Sequence, residues 1–97
     1  MKKLIIANWK CNPATLKEAQ ELFHLIKEDI KNKDVVICPP SIFLPFLICD
    51  DINFGAQNCF WEKSGAYTGE ISPQMIKSIG CEYVIIGHSE RRTIFNE

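Results

Sequence analysis

Two short segments carry the residue types that could do chemistry. Gly87-His88-Ser89-Glu90-Arg91-Arg92 follows the apolar run Tyr83-Val84-Ile85-Ile86, and Asn8-Trp9-Lys10 follows Lys3-Leu4-Ile5-Ile6-Ala7. The run at 83–86 reads as a fully buried strand, because its apolar residues are continuous rather than alternating. Gly87 lets the backbone turn, and His88 or Ser89 starts a helix whose free N–H groups face the space above the strand. An imidazole held there feels a positive helix end, which disfavours the imidazolium and keeps the ring neutral. A neutral imidazole next to a cation can polarise a carbonyl. Lys10 supplies a fixed point charge suited to an anionic substrate, phosphate above all. Taken alone, each residue has a plainer reading: a solvated lysine at a loop start, a hydrogen-bonded boundary histidine, and surface charge at Glu90-Arg91-Arg92. Their shared placement favours the chemical one.

The elements that must position them alternate along the chain. Residues 3–7 read as the first strand. Thr15-Leu16-Lys17-Glu18 has the form of a capping box, with Pro13 just ahead of it. The helix it opens puts Leu16, Ala19, Leu22, Phe23, Ile26 and Ile30 on one face and Lys17, Glu21, Glu28 and Lys31 outside. His24 lies beside that face, at the surface or its boundary. Val35-Val36-Ile37-Cys38 is the second strand, cut off by Pro39-Pro40. A short helix fits 41–47, a third strand 52–56, and a helix capped by Ser72-Pro73 runs to Ile79 and is ended by Gly80. Residues 57–70 form a long connection without periodicity. The β-α-β-α-β-α-β order with non-alternating strands implies a parallel sheet with helices outside. In such folds chemistry gathers at the carboxyl ends of strands. Those ends carry Asn8 and Lys10, then Gln57 and Asn58, then His88 and Glu90.

Composition narrows the classes. The chain has 97 residues, 46% hydrophobic and 24% charged, with a formal net charge of -1, which favours neither nucleic acid nor an acidic membrane surface. The apolar start is too short for a signal peptide and no run reaches membrane-span length, so the expected compartment is the cytoplasm. Five cysteines, Cys11, Cys38, Cys49, Cys59 and Cys81, form an odd set without a C-x-x-C pair, which argues for reduced thiols and against a metal site. Cys38, Cys49 and Cys81 are expected to be buried small hydrophobes. No cofactor is expected.

Four motifs then stand in order: Ala7-Asn8-Trp9-Lys10-Cys11-Asn12, Gly55-Ala56-Gln57-Asn58, Gly65-Ala66-Tyr67-Thr68-Gly69-Glu70-Ile71-Ser72 and Ile86-Gly87-His88-Ser89-Glu90-Arg91-Arg92. Together they resemble the triosephosphate isomerase family, over essentially all of residues 1–97. The resemblance implies a (β/α)8 TIM barrel, of which these residues are the first four βα units, the N-terminal part of a single barrel domain. It implies interconversion of dihydroxyacetone phosphate and D-glyceraldehyde 3-phosphate through an enediolate, in glycolysis and gluconeogenesis. His88 would be the electrophile, a neutral imidazole being the family's known arrangement. Lys10 would neutralise phosphate and developing enediolate, Glu90 would orient Lys10 and help relay protons, and Ser89 would support the helix start. Asn8, Trp9 and Lys10 would bind a small phosphorylated triose. Residues 58–70 would be the loop of a homodimer, with Thr68 reaching the neighbour's site, Cys11 beneath the partner's loop, and Glu70 and Arg91 paired by charge.

The family's barrel has about 250 residues, whereas this chain reaches only the start of the fourth βα unit. Its catalytic glutamate base, lid and last phosphate-binding loops are expected to lie outside these residues, so the 97 residues alone are expected to be inactive. Two alternatives are a non-catalytic half-barrel that binds phosphorylated ligands and an assembly fragment.

Overall fold

The structure, a computed structural model, describes residues 2–97. Strand β1 (Ile5–Asn8) leads to helix α1 (Leu16–Ile30) and strand β2 (Val35–Cys38). A single 3-10 turn, Ser41–Phe43, runs into helix α2 (Leu44–Leu47), followed by β3 (Asn53–Ala56), α3 (Pro73–Ser78), β4 (Tyr83–Val84) and α4 (Ser89–Ile94). All adjacent strands pair in parallel, in the order β1-β2-β3-β4, with Asn8 level with Cys38 and Ala56 level with Val84. Four parallel strands alternating with helices are one half of the barrel that the motifs imply.

Local chemistry explains the element starts. Thr15 accepts a hydrogen bond from the Glu18 amide, one half of the expected capping box, and Ser72 does the same for Met75. Pro45 and Pro73 occupy first-turn positions, where their missing N–H costs nothing. The core lies between sheet and helices. Ile37, Phe54 and Ala56 meet Ala19 and Phe23 of α1, Leu44 and Leu47 of α2, Ile76 of α3, and Cys81. Phe23 and Phe54 pack with ring centroids 5.6 Å apart.

Gly55 is needed for space. A Cβ there would lie 2.6 Å from Cys38 Sγ and 3.2 Å from Val36 Cγ1. Both neighbours are fully buried. Gly55→Ala is therefore expected to destabilise the fold by about 1–3 kcal/mol through overpacking, read as a lower midpoint in denaturant unfolding.

The fully buried strand expected at 83–86 requires correction. Only Tyr83 and Val84 are strand, both partly exposed, and Ile86 is 67% exposed. Among the described residues β4 pairs with β3 alone, so its other side has no strand against it. At the other edge Ile5 is 62% exposed for the same reason. Along α1, Ala19 and Phe23 are buried, whereas Leu22 belongs to the exposed side. His24 is at the surface.

Cys38 and Cys81 are buried as expected, but Cys49 is exposed, because it sits in the turn that leads to Asp50 and Asp51. Burial, and then the nearby Cys81, push the Cys38 thiol up to about 11; burial also raises Cys81. Two outcomes follow. Under native conditions iodoacetamide should alkylate Cys49 while sparing Cys38 and Cys81 until unfolding, as peptide mass mapping would show. The folded chain also keeps the Cys38 proton longer than the unfolded chain does. Stability should therefore be intact below the ordinary thiol value of 9.0 and fall as pH rises toward about 11.

Among the described residues no helix is long and apolar enough to cross a membrane, and no group of three His, Cys, Asp or Glu side chains is placed to hold a metal ion.

Candidate active site

The carboxyl ends of β1 and β3 and the start of α4 converge on one open pocket of about 150 Å³. Asn8, Lys10, Gln57, His88 and Glu90 line it, as do Cys11 and Arg91. A larger hollow, about 580 Å³, lies at the opposite end of the strands among Lys33, Asp34, Cys49 to Asn53 and Glu82. Size does not decide between them. The smaller pocket stands at the strand ends where barrels place chemistry, and there it brings lysine, histidine and carboxylate together; Lys17, Glu21 and His24 also flank a hollow, but on the outer face of α1, away from the strand ends.

Lys10 is held unusually. Its φ is +58°, left-handed backbone, which costs about 1–2 kcal/mol for a residue of this kind. Its amide donates to Asn8 Oδ1 at 2.9 Å and its carbonyl accepts from Gln57 Nε2 at 2.7 Å. The ammonium lies 2.8 Å from Glu90 Oε1. That oxygen is shielded from solvent and has no hydrogen bond of good geometry, so the contact with Lys10 is best described as one of charge. The adjacent Lys10 ammonium holds the Glu90 carboxyl below its ordinary range against a smaller opposing effect of burial. The pair's contribution is present above the ordinary carboxylate range and is lost as pH falls through the lowered value.

His88 caps α4 with its own ring. Nδ1 accepts the Glu90 amide proton at 3.1 Å, so in the neutral ring the proton sits on Nε2. Nδ1 also lies 3.9 Å from Glu90 Oε1. With Nδ1 committed as an acceptor from the backbone, that approach is no ion pair. Gly87 makes the turn before it at φ +63°, with open space around its α-carbon. The ring thus has a fixed tautomer, a fixed orientation and one free donor, Nε2–H. Such a donor beside an ammonium can polarise a carbonyl oxygen and stabilise the negative charge that develops on it.

Asn8, Lys10, His88 and Glu90, singled out from the sequence, are brought together. Trp9 is not. It is half-buried, packs against the helix-side core and is absent from the pocket lining. Trp9 continues the alternation of β1, on the side of Ala7 and opposite Asn8, and the left-handed turn at Lys10 then brings the lysine back to the pocket. Cys11 and Arg91 also line the pocket. In the single chain Arg91 makes a two-pronged pair with Glu97 at 2.7 and 2.8 Å, and Glu70 acts on it from a distance. Thr68 and Glu70 lie on the exposed loop at 58–70, whose ring of Phe60, Trp61 and Tyr67 packs on itself at centroid distances of 4.0 and 4.7 Å.

Gln57 was legible only as a polar residue after the third strand. Its side-chain amide donates to Lys10 O and, at 2.8 Å, to Cys38 O. The sequence signal was its place in the Gly55-Ala56-Gln57-Asn58 motif; the bonds themselves depend on strand register.

Comparison with known proteins agrees with this arrangement. The family model described as triosephosphate isomerase matches residues 3–97. A curated relative of that name from Dictyoglomus turgidum (strain DSM 6724 / Z-1310) is 50% identical over 103 residues, covering 99% of this chain and 41% of the relative. One from Clostridium botulinum (strain Loch Maree / Type A3) is 52% identical over 100 residues, covering 97% of this chain and 40% of the relative. One from Aquifex aeolicus (strain VF5) is 48% identical over 104 residues, covering 100% and 42%. The chain thus spans about two fifths of the length of these relatives. Matched from residue 3 to residue 97 and half identical to such relatives, it belongs to the triosephosphate isomerase family.

Proposed function

We propose that residues 1–97 are the N-terminal part of a single barrel domain that interconverts dihydroxyacetone phosphate and D-glyceraldehyde 3-phosphate. The observation that carries this reading is the pocket in which Lys10 Nζ lies 2.8 Å from Glu90 and His88 keeps only Nε2–H free. In a chain of this family, that is an electrophile beside a fixed cation.

The geometry supports the following roles. Lys10 draws in the phosphorylated triose and balances the charge of the enediolate. Asn8 fixes the turn that presents Lys10 and offers its amide group to the substrate. His88 donates from Nε2 to the carbonyl oxygen, lowering the cost of removing the neighbouring C–H proton. As the enediolate forms, the same nitrogen passes a proton from one oxygen to the other. Glu90 orients Lys10 and helps relay protons. The base that takes the carbon-bound proton is a glutamate of the family's later strands, so residues 1–97 alone carry no turnover. The domain acts in the cytoplasm as a homodimer, with the 58–70 loop, Cys11, Thr68, Glu70 and Arg91 at the contact and no cofactor.

Ligand competition tests the site. In the gene product at its native length, a phosphorylated enediolate mimic should bind at least about 100-fold more tightly than inorganic phosphate, as a transition-state site requires. Equal affinity would reduce the pocket to an anion site and remove the isomerase reading.

A further inference from the structure

Four non-glycine residues have positive φ: Lys10, Asn32, Asp51 and Asn96. Asn and Asp tolerate that region because a short polar side chain can bond locally to the backbone. Lys10 has no such group, and its own side chain is engaged elsewhere, with Glu90. Something outside the turn must hold it.

The two groups flanking the Lys10 α-carbon are both tied. The N–H is fixed by Asn8, which is local. The carbonyl is fixed by Gln57, which comes 47 residues later in the chain. The same Gln57 nitrogen donates to Cys38 O, which also receives the Trp9 amide at 3.0 Å. Because Cys38 is level with Asn8 in the β1–β2 register, this amide group straps the Lys10 turn to the ends of two neighbouring strands. Both of its protons are used, and no carboxylate or aliphatic side chain could replace it.

We infer that Gln57 is a positioning residue that holds Lys10 in its left-handed conformation and so fixes the ammonium against Glu90. It acts through Lys10 and need not touch substrate. The kinetic consequence rests on the isomerase reading; the structural one does not.

The test uses the gene product at its native length with two variants. Gln57→Leu removes both donors. Gln57→Glu keeps the shape but, once ionised, has no proton to give and sets a carboxylate against two carbonyl oxygens. Crystal structures of either variant should show Lys10 leaving the left-handed region and the Nζ–Glu90 contact opening beyond 2.8 Å. Displacing the ammonium by about 1 Å should lower kcat/KM on the order of 10- to 100-fold, with the larger share in KM. Gln57→Glu should recover in part as pH falls through the carboxylate range, which a packing role would not produce. If Gln57→Leu does not fold, the isosteric Glu variant carries the test. Lys10 unmoved, with φ near 58° and its Glu90 contact intact, overturns the inference whatever the kinetics. A native protein without isomerase activity, combined with a displaced Lys10 in the variant, removes the isomerase reading and leaves this inference standing.

Discussion

Lys10→Met in the native-length protein is expected to lower kcat/KM by about 10²–10³-fold or more, the scale for losing one preorganised partner of developing charge. Methionine keeps most of the aliphatic stem and removes only the ammonium, so packing is nearly conserved. Two groups then lose their partner. The substrate phosphate meets no fixed cation, and the Glu90 carboxylate, now 2.8 Å from nothing charged, is left with a shielded oxygen. Both KM and kcat should suffer, because phosphate is charged in the ground state and the enediolate only later. The Glu90 carboxyl should also rise toward its ordinary range, since the Lys10 contact is the largest cause of its lowering. Steady-state kinetics gives the first readout and a carbon-13 NMR titration of the carboxyl the second. Lys10→Arg should not rescue, because a planar fork cannot sit as a compact point charge in the same turn. Unchanged kinetics in Lys10→Met would remove the cation from the account.

His88→Gln should show a different signature, with kcat reduced by about 10²–10⁴-fold and KM nearly unchanged. The glutamine amide can still donate one hydrogen bond to a carbonyl. It cannot pass a proton from one enediolate oxygen to the other, which an imidazole does by losing and regaining its Nε2 proton. The ring's other nitrogen is already committed to the Glu90 amide, so substitution also disturbs the cap of α4. A circular dichroism melt separates that structural cost from the chemical one: α4 has six residues, and loss of its cap should cost only about 1 kcal/mol. An equal fall in kcat/KM carried wholly by KM would show that His88 binds substrate without acting as an acid.

Much of this arrangement could be read from residue order, because the signals are local. Thr15 and Ser72 cap their helices as their spacing implied. The four strands run parallel as the alternation of buried runs with amphipathic segments requires. Asn8, Lys10, His88 and Glu90 meet because every parallel strand delivers its carboxyl end to the same side. What stayed hidden depends on distance in the chain. Gln57 becomes a strap only once β3 stands beside β2 and β2 beside β1, a fact of register and not of composition. Trp9 looked like part of the site because both its neighbours are, and strand alternation sends it the other way. The run at 83–86 is apolar enough for a central strand, but burial needs a neighbour on each side, and among the described residues β4 has β3 alone. Arg91 pairs with Glu97, six residues on and past the end of α4, a contact no motif pointed to.

The central claim is that the Lys10–Glu90–His88 cluster belongs to a working isomerase site. The most direct measurement is the conversion of dihydroxyacetone phosphate by the gene product purified from its source cells, with its intact mass recorded on the same sample. The expected result is rapid formation of glyceraldehyde 3-phosphate by a protein of about 250 residues, with no turnover by residues 1–97 alone. A native product of 11.1 kDa that does not convert the triose would contradict the claim and leave the pocket an anion site without chemistry.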